Sequence, residues 1–116
     1  MKFLCLAYGS EADWKALSAQ EQAELLAQDE KIRKRGHFMA AVQTAVTTVT
    51  NWDGKLVTKN ASYSELTVPL AGFSIIEAEN VDEVVKLVSN SPCARAHGGV
   101  EIRPFLDLGG QPAAAQ

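Results

Sequence analysis

The sequence predicts an α+β domain in which two helices cover one face of a β-sheet. Three observations predict it. The segment "KFLCLAY", residues 2–8, is apolar at both alternating sets of positions, as in a strand covered on both faces. Two helical segments carry N-terminal caps, and an Asp-Gly pair joins two β-branched segments as a hairpin turn. The order β-α-β, hairpin, β-α-β is the ferredoxin-like βαββαβ arrangement with an inserted β-hairpin.

The longest helix is predicted over residues 19–35. Ser18 and Glu21 form a capping box, in which the serine hydroxyl accepts an amide hydrogen bond and the glutamate reaches back. The apolar stripe of this helix comprises Leu25, Leu26 and Ile32. Gly36 is predicted to end the helix in the left-handed conformation.

Residues 37–43 are predicted to form a strand with two different faces. One face is fully apolar: Phe38, Ala40 and Val42. The other face is mixed: His37, Met39, Ala41 and Gln43. We assign the apolar face to the helices. This assignment places His37 on the sheet face away from them, at the beginning of its strand.

A hairpin and an irregular segment are predicted in the middle of the chain. Asp53 and Gly54 fit a two-residue turn that needs positive φ. Residues 58–71 contain Ser, Asn and Pro69, which favour turns over a strand pair.

The second β-α-β unit completes the predicted order. A strand at 72–79 precedes a helix that Asn80 and Glu83 cap. The apolar stripe of that helix comprises Val81, Val84, Val85 and Val88. The last strand is predicted at 99–106, where Pro104 indicates an edge or a strand end.

Composition limits the partners. We expect one domain over residues 1–107 and a flexible tail at 108–116. The net charge of −3 argues against nucleic acid as a partner, and no apolar stretch approaches the ~20 residues of a membrane span. Cys5 and Cys93 lack metal-ligand spacing, and the N-terminus lacks a signal-peptide pattern. We therefore expect a cytoplasmic protein that uses no metal or cofactor.

A homodimer is predicted from the two-faced strands. Two helices can cover only one face of the sheet, yet residues 2–8 and 72–79 are apolar on both faces. An uncovered apolar patch of that size is rare on a monomer. The open faces of two copies are therefore expected to pack together.

Several segments resemble the YCII-related family, in particular its DGPF-domain branch. They are "MKFLCLAYG", "GHFMAAV", "WDGK", "LAGFSIIEAENVDEVVKLV" and "GGVEIRPFLDL". The resemblance implies a dimeric α+β barrel, similar in architecture to muconolactone isomerases and small cofactor-independent monooxygenases. DGPF proteins are often associated with extracytoplasmic-function sigma factors, so a regulatory role is an alternative that the resemblance also implies. The Asp-Gly-Pro-Phe signature itself is absent, and residues 59–62 occupy its approximate position.

Four residues are candidates for a site. The resemblance implies a His–Asp pair: His37 matches the histidine approximately, and the aspartate has no counterpart. His37 is either an acid–base group or a boundary histidine bonded to the backbone. Arg103 either holds a ligand carboxylate or pairs with a nearby acid. Tyr8 and Met39 are expected to contribute to ligand binding.

Two classes of function follow from these candidates. One is a dimeric module that binds a small hydrophobic ligand or a protein partner. The other is a cofactor-independent enzyme, isomerase-like or monooxygenase-like, that uses His37 as acid or base. The missing signature favours the binding module.

Overall fold

The structure, a computed structural model, describes residues 1–106. The helices and strands are, in chain order, β1 (Lys2–Tyr8), α1 (Glu11–Lys15), α2 (Ala19–Arg35), β2 (Phe38–Ala41), β3 (Thr48–Trp52), β4 (Lys55–Lys59), β5 (Leu70–Glu77), α3 (Val81–Val88), α4 (Pro92–Arg95) and β6 (Gly99–Pro104). The predicted tail at 108–116 lies outside the described residues. Among residues 1–106, none of the helices has the length and apolar character needed to cross a membrane.

The main sheet has the strand order β2-β5-β1-β6, and every neighbouring pair is antiparallel. This is the ferredoxin-like order, which confirms the predicted fold class. β3 and β4 form a separate two-stranded hairpin, as predicted. Its turn residues Asp53 and Gly54 have φ of 56° and 77°, the positive values that this turn requires. Of the irregular segment predicted at 58–71, residues 60–69 contain neither helix nor strand, whereas residues 58–59 belong to β4 and residues 70–71 to β5.

Helix α2 begins and ends where the sequence predicts. The hydroxyl of Ser18 accepts a hydrogen bond from the Glu21 amide, and the Glu21 carboxylate accepts one from the Ser18 amide. The prediction of a left-handed Gly36 is wrong, because its φ is −82°. Gly36 is instead needed for close approach: a Cβ there would lie 3.0 Å from the carbonyl oxygen of Ile75.

The core lies between the sheet and the helices. Its buried members are Phe3, Cys5, Ile32, Ile76, Ala78, Val84 and Val88. Partly buried Met39, Leu87, Val100 and Ile102 pack against it. Strand residues therefore alternate between this helix side and the open side of the sheet.

The predicted faces of β2 are reversed in the structure. Met39 packs against the core on the helix side. Phe38 is 54% exposed and contacts the ring of Phe73 on the open side. His37 lies just before β2, and alternation extended back from Met39 favours the helix side for His37 too, which argues against its predicted place on the open face. Apolarity alone does not identify the helix-covered face of β2, because both sides of this edge strand are incompletely covered.

Candidate ligand pocket

A pocket of about 570 Å³ lies between the helices and one edge of the main sheet. Its walls come from α1, α2, α4 and the adjoining ends of β2 and β5. Gly72 of β5 makes this wall possible, because a Cβ there would lie only 2.6 Å from the carbonyl oxygen of Ala40. The glycine thus lets β2 approach β5 at the base of the pocket.

Most of the pocket lining is apolar. Its larger side chains include Trp14, Leu26 and Met39. Trp14 is held by the contact between two helices, because the side-chain amide of Gln22 donates a hydrogen bond to its carbonyl oxygen at 2.9 Å. Ser10 caps α1 by accepting a hydrogen bond from the Asp13 amide, which fixes the start of that short helix.

Polar residues also line the pocket, among them Asp29, Arg33 and Cys93. The Arg33 guanidinium pairs with Glu30, with 3.3 Å between Nε and Oε2. Burial raises the pKa of the Asp29 carboxyl, and the positive charge of Arg33 offsets part of that rise. Burial raises the pKa of the Cys93 thiol, and the negative charge of Asp29 adds to that increase. Cys93 is therefore a neutral thiol at neutral pH, which makes it a poor nucleophile.

Cys93 is brought to the pocket by the short helix α4. This helix begins at Pro92, whose fixed φ suits the first helical position. Ser91 just before it is buried, and its hydroxyl donates to the carbonyl oxygen of Val88 at 2.7 Å. On the facing side, a Cβ at Gly9 would lie 3.1 Å from the Cys93 sulfur, so the absent side chain leaves room for the thiol.

The predicted site residues lie in different places. Met39 lines the pocket. Tyr8 and Arg103 lie outside it and meet at Glu101: the Tyr8 hydroxyl donates to Glu101 Oε1 at 3.2 Å, and an Arg103 nitrogen contacts the same oxygen at 3.3 Å. Burial, followed by the Glu101 carboxylate, raises the pKa of the Tyr8 hydroxyl. Arg103 therefore pairs with a nearby acid, Glu101, which is one of the two alternatives predicted for it from the sequence.

His37 lies outside the pocket lining and is exposed. Its backbone amide donates to the carbonyl oxygen of Ile75 at 2.8 Å, which fixes the entry into β2. Within residues 1–106, no group of three or more His, Cys, Asp or Glu side chains has the geometry to hold a metal ion. The acid–base role of His37 stays a prediction.

The pocket residues Asp29, Trp14 and Cys93 were not singled out from the sequence. For Asp29 a signal existed: it follows Leu25 by four residues and precedes Ile32 by three, so it interrupts the apolar stripe of α2. An acid within such a stripe is a reason to look for a nearby polar partner or a cavity.

Comparisons with known proteins place the fold and the family. A search of curated protein sequences found no match. A solved structure with a similar fold is 5-chloro-2-hydroxyhydroquinone dehydrochlorinase (TftG) from Burkholderia phenoliruptrix AC1100, in complex with 2,5-dihydroxybenzoquinone. The two chains are 18% identical with a TM-score of 0.55, and the match covers 91% of this chain and 94% of that chain. At this identity the likeness shows the fold alone.

The sequence pattern of the YCII-related domain matches residues 1–108, which is nearly the whole chain. The chain therefore belongs to the YCII-related domain family.

Proposed function

We propose that the protein binds a small, largely apolar molecule in the pocket between α1, α2, α4 and the β2 edge of the sheet. The observation that carries this proposal is the pocket itself. Its volume of about 570 Å³ lies within the roughly 300–1,000 Å³ of small-molecule sites. Its lining also has the composition of such sites, mostly apolar with a few polar groups at defined positions.

The similar fold supports this proposal. The TftG structure is a complex with 2,5-dihydroxybenzoquinone, a small cyclic molecule. That ligand belongs to the TftG chain, and for the present chain it supports only the size class of the ligand. A single small ring leaves space in a pocket of about 570 Å³, so a larger or substituted ring also fits.

The pocket favours binding over catalysis. Cys93 is held as a neutral thiol, and His37 is not among the residues that line the pocket. The alternative, an isomerase-like or monooxygenase-like enzyme with His37 as acid or base, therefore needs a ligand at the exposed start of β2. Replacing His37 with Ala tests that alternative. Loss of turnover with an unchanged melting temperature would support it, and a large fall in melting temperature would assign His37 a structural role.

The proposed biological unit is a cytoplasmic homodimer whose open sheet faces pack together. Its support is the apolar side of the main sheet, where Leu4, Leu6, Phe38, Phe73 and Ile75 share the face away from the helices. A stable interface of this kind buries at least about 1,200 Å² in total.

The resemblance to DGPF proteins supports a regulatory form of the proposal, in which ligand binding alters contact with a sigma factor. Direct binding to a purified extracytoplasmic-function sigma factor, with and without ligand, tests that form.

An amide-shift titration tests the binding proposal. Cyclohexanol is a suitable probe because it is small, apolar and soluble, and a molecule of seven heavy atoms should bind with a Kd on the order of 1 mM. The expected result is saturable shifts at Trp14, Met39 and Cys93. Shifts confined to the open sheet face, or no saturable shift, would contradict the proposal.

A further inference from the structure

We propose that the pocket selects apolar molecules that carry a hydrogen-bond donor, a hydroxyl or an amine, and that Asp29 is the acceptor that recognises it. This inference rests on the proposed function, since it names the class of ligand that the same pocket takes. It assigns to Asp29 a recognition role that the apolar walls cannot perform. The argument depends on the position of Asp29, on the charges around it and on the cost of burying its carboxylate further.

The position of Asp29 points it into the pocket. Leu26, Asp29 and Arg33 follow one another at i, i+3 and i+7 on α2, so they share one side of the helix. All three line the pocket. Asp29 is half-buried there, with an apolar side chain one turn before it and the guanidinium of Arg33 one turn after it.

The other charges that line the pocket already have partners. Glu11 pairs with Lys15, with 2.9 Å between the charged atoms, and Arg33 pairs with Glu30 at 3.3 Å. Among the residues described, Asp29 forms no ion pair within 4 Å. In the part of the chain that the structure describes, Asp29 is therefore the charged residue of the pocket lining whose carboxylate has no ion-pair partner to compete with a ligand.

Cys93 of α4 lines the same pocket. Burial raises the pKa of its thiol, and the negative charge of Asp29 adds to that increase. An anionic ligand would be repelled by the carboxylate of Asp29, which has no ion-pair partner within 4 Å in residues 1–106. A neutral or cationic ligand avoids this repulsion.

Binding would remove water from Asp29, and the consequence depends on the ligand. A ligand with a donor replaces the lost water by a hydrogen bond to an ionised acceptor, which is stronger than a bond between neutral groups. A ligand without a donor leaves the carboxylate buried and unsatisfied, which is costly. The same residue thus favours donors and disfavours all other ligands of the same shape.

Four probes with one common ring separate these cases. Cyclohexanol and cyclohexylamine carry a donor, methoxycyclohexane carries only an acceptor, and cyclohexanecarboxylate is an anion. We expect the alcohol or the amine to bind about 10-fold more tightly than the ether, and the carboxylate to bind most weakly. Repeating the titrations at high salt separates the two donors. The advantage of the charged amine over the ether should fall, because salt screens the attraction between charges, whereas the advantage of the neutral alcohol should change little.

The Asp29→Leu variant keeps the approximate shape of the side chain and removes the acceptor. In this variant, the alcohol and the amine should lose their advantage over the ether, and the ether should bind more tightly than it does to the unmodified protein. Glu24→Leu is the matched control, since Glu24 lies on α2, is exposed and does not line the pocket. Equal binding of the alcohol, the amine and the ether to the unmodified protein would overturn the role of Asp29 while the pocket stands. Failure of all four probes to bind would overturn the proposed function and this inference with it.

Discussion

The rings of Phe38 and Phe73 lie 5.7 Å apart, centroid to centroid, and are tilted by 36° on the open side of the main sheet. Phe73 is also opposite Leu6 across the β1–β5 pair. The contact therefore extends the apolar surface from the middle of the sheet to its edge strand. Tilted aromatic pairs at this distance contribute about 0.5–1.5 kcal/mol beyond the burial of their area.

A charge at Phe38 should separate the two protomers. Phe38→Glu introduces a carboxylate into the proposed sheet-to-sheet interface, where no cation of the same face lies beside it in β2 or β5. Light scattering should show a monomer for the variant and a dimer for the unmodified protein. The pocket on the other side of the sheet should still bind cyclohexanol.

Val81→Glu is the control for this experiment. Val81 is also an exposed apolar residue, but it begins α3 on the helix side, where the dimer is not expected to form. The Val81→Glu variant should remain dimeric. A dimer that survives Phe38→Glu and dissociates with Val81→Glu would assign the interface to the helices.

The ionised form of Asp29 should lower stability, with a defined dependence on pH. Burial raises the pKa of this carboxyl, so the folded protein binds the proton more readily than the unfolded chain. Stability is then reduced as the pH rises from the ordinary aspartate pKa of about 3.9 to the higher folded pKa. Above that window the reduction is constant, and below it the reduction is absent.

Asp29→Asn removes this ionisation and should raise the melting temperature at neutral pH. The gain should be about 1–2 °C, because a half-exposed charge is screened by water. It should vanish below about pH 3.9. Melting curves across this pH range measure the difference, and a variant that is less stable at neutral pH would show that Asp29 has a stabilising partner.

The two cysteines should react with alkylating agents at different rates. Cys93 is half-buried and lines the pocket, whereas Cys5 is buried in the core. The raised pKa of the Cys93 thiol makes its alkylation slower than that of a free cysteine, and Cys5 should react only on unfolding. Mass spectrometry of iodoacetamide-treated protein measures both rates.

Saturating cyclohexanol should slow the reaction of Cys93 by several-fold, and an unchanged Cys93 rate would show that the probe binds elsewhere.

Gly72 should be essential for the edge of the pocket. In Gly72→Ala the new methyl group would meet the carbonyl oxygen of Ala40, which forces β2 away from β5. We expect a loss of about 2 kcal/mol of unfolding free energy and weaker binding of cyclohexanol. Chemical denaturation measures the first effect. Gly99→Ala is the control, since a Cβ there meets nothing within 4 Å; similar losses in both variants would point to a general effect of removing glycine from a strand.

Local signals predicted the elements of this fold well. Helix α2 and the hairpin turn depend on short-range chemistry: the Ser18–Glu21 capping box and the positive φ of Asp53 and Gly54. These interactions involve neighbours in the chain, so the sequence contains most of the information that determines them.

Long-range packing determined what the sequence did not predict. Which face of β2 packs against the core depends on the side of the sheet that the helices cover near this edge strand. On the other side, the ring of Phe38 contacts the ring of Phe73 in β5. Gly36 ends α2 without a left-handed turn, and a Cβ at this position would lie 3.0 Å from the carbonyl oxygen of Ile75. The pocket arises where α1, α2 and α4 meet, and only Met39 of the predicted site residues lies there.

The most direct test of the pocket uses the two tryptophans of the chain. Trp14 lines the pocket, whereas Trp52 is 71% exposed beside the hairpin turn. In Trp52→Phe, the emission of Trp14 should change saturably as cyclohexanol is added. In Trp14→Phe, the emission of Trp52 should stay constant over the same range. A constant Trp14 emission, or an equal change from Trp52, would contradict a ligand site in this pocket.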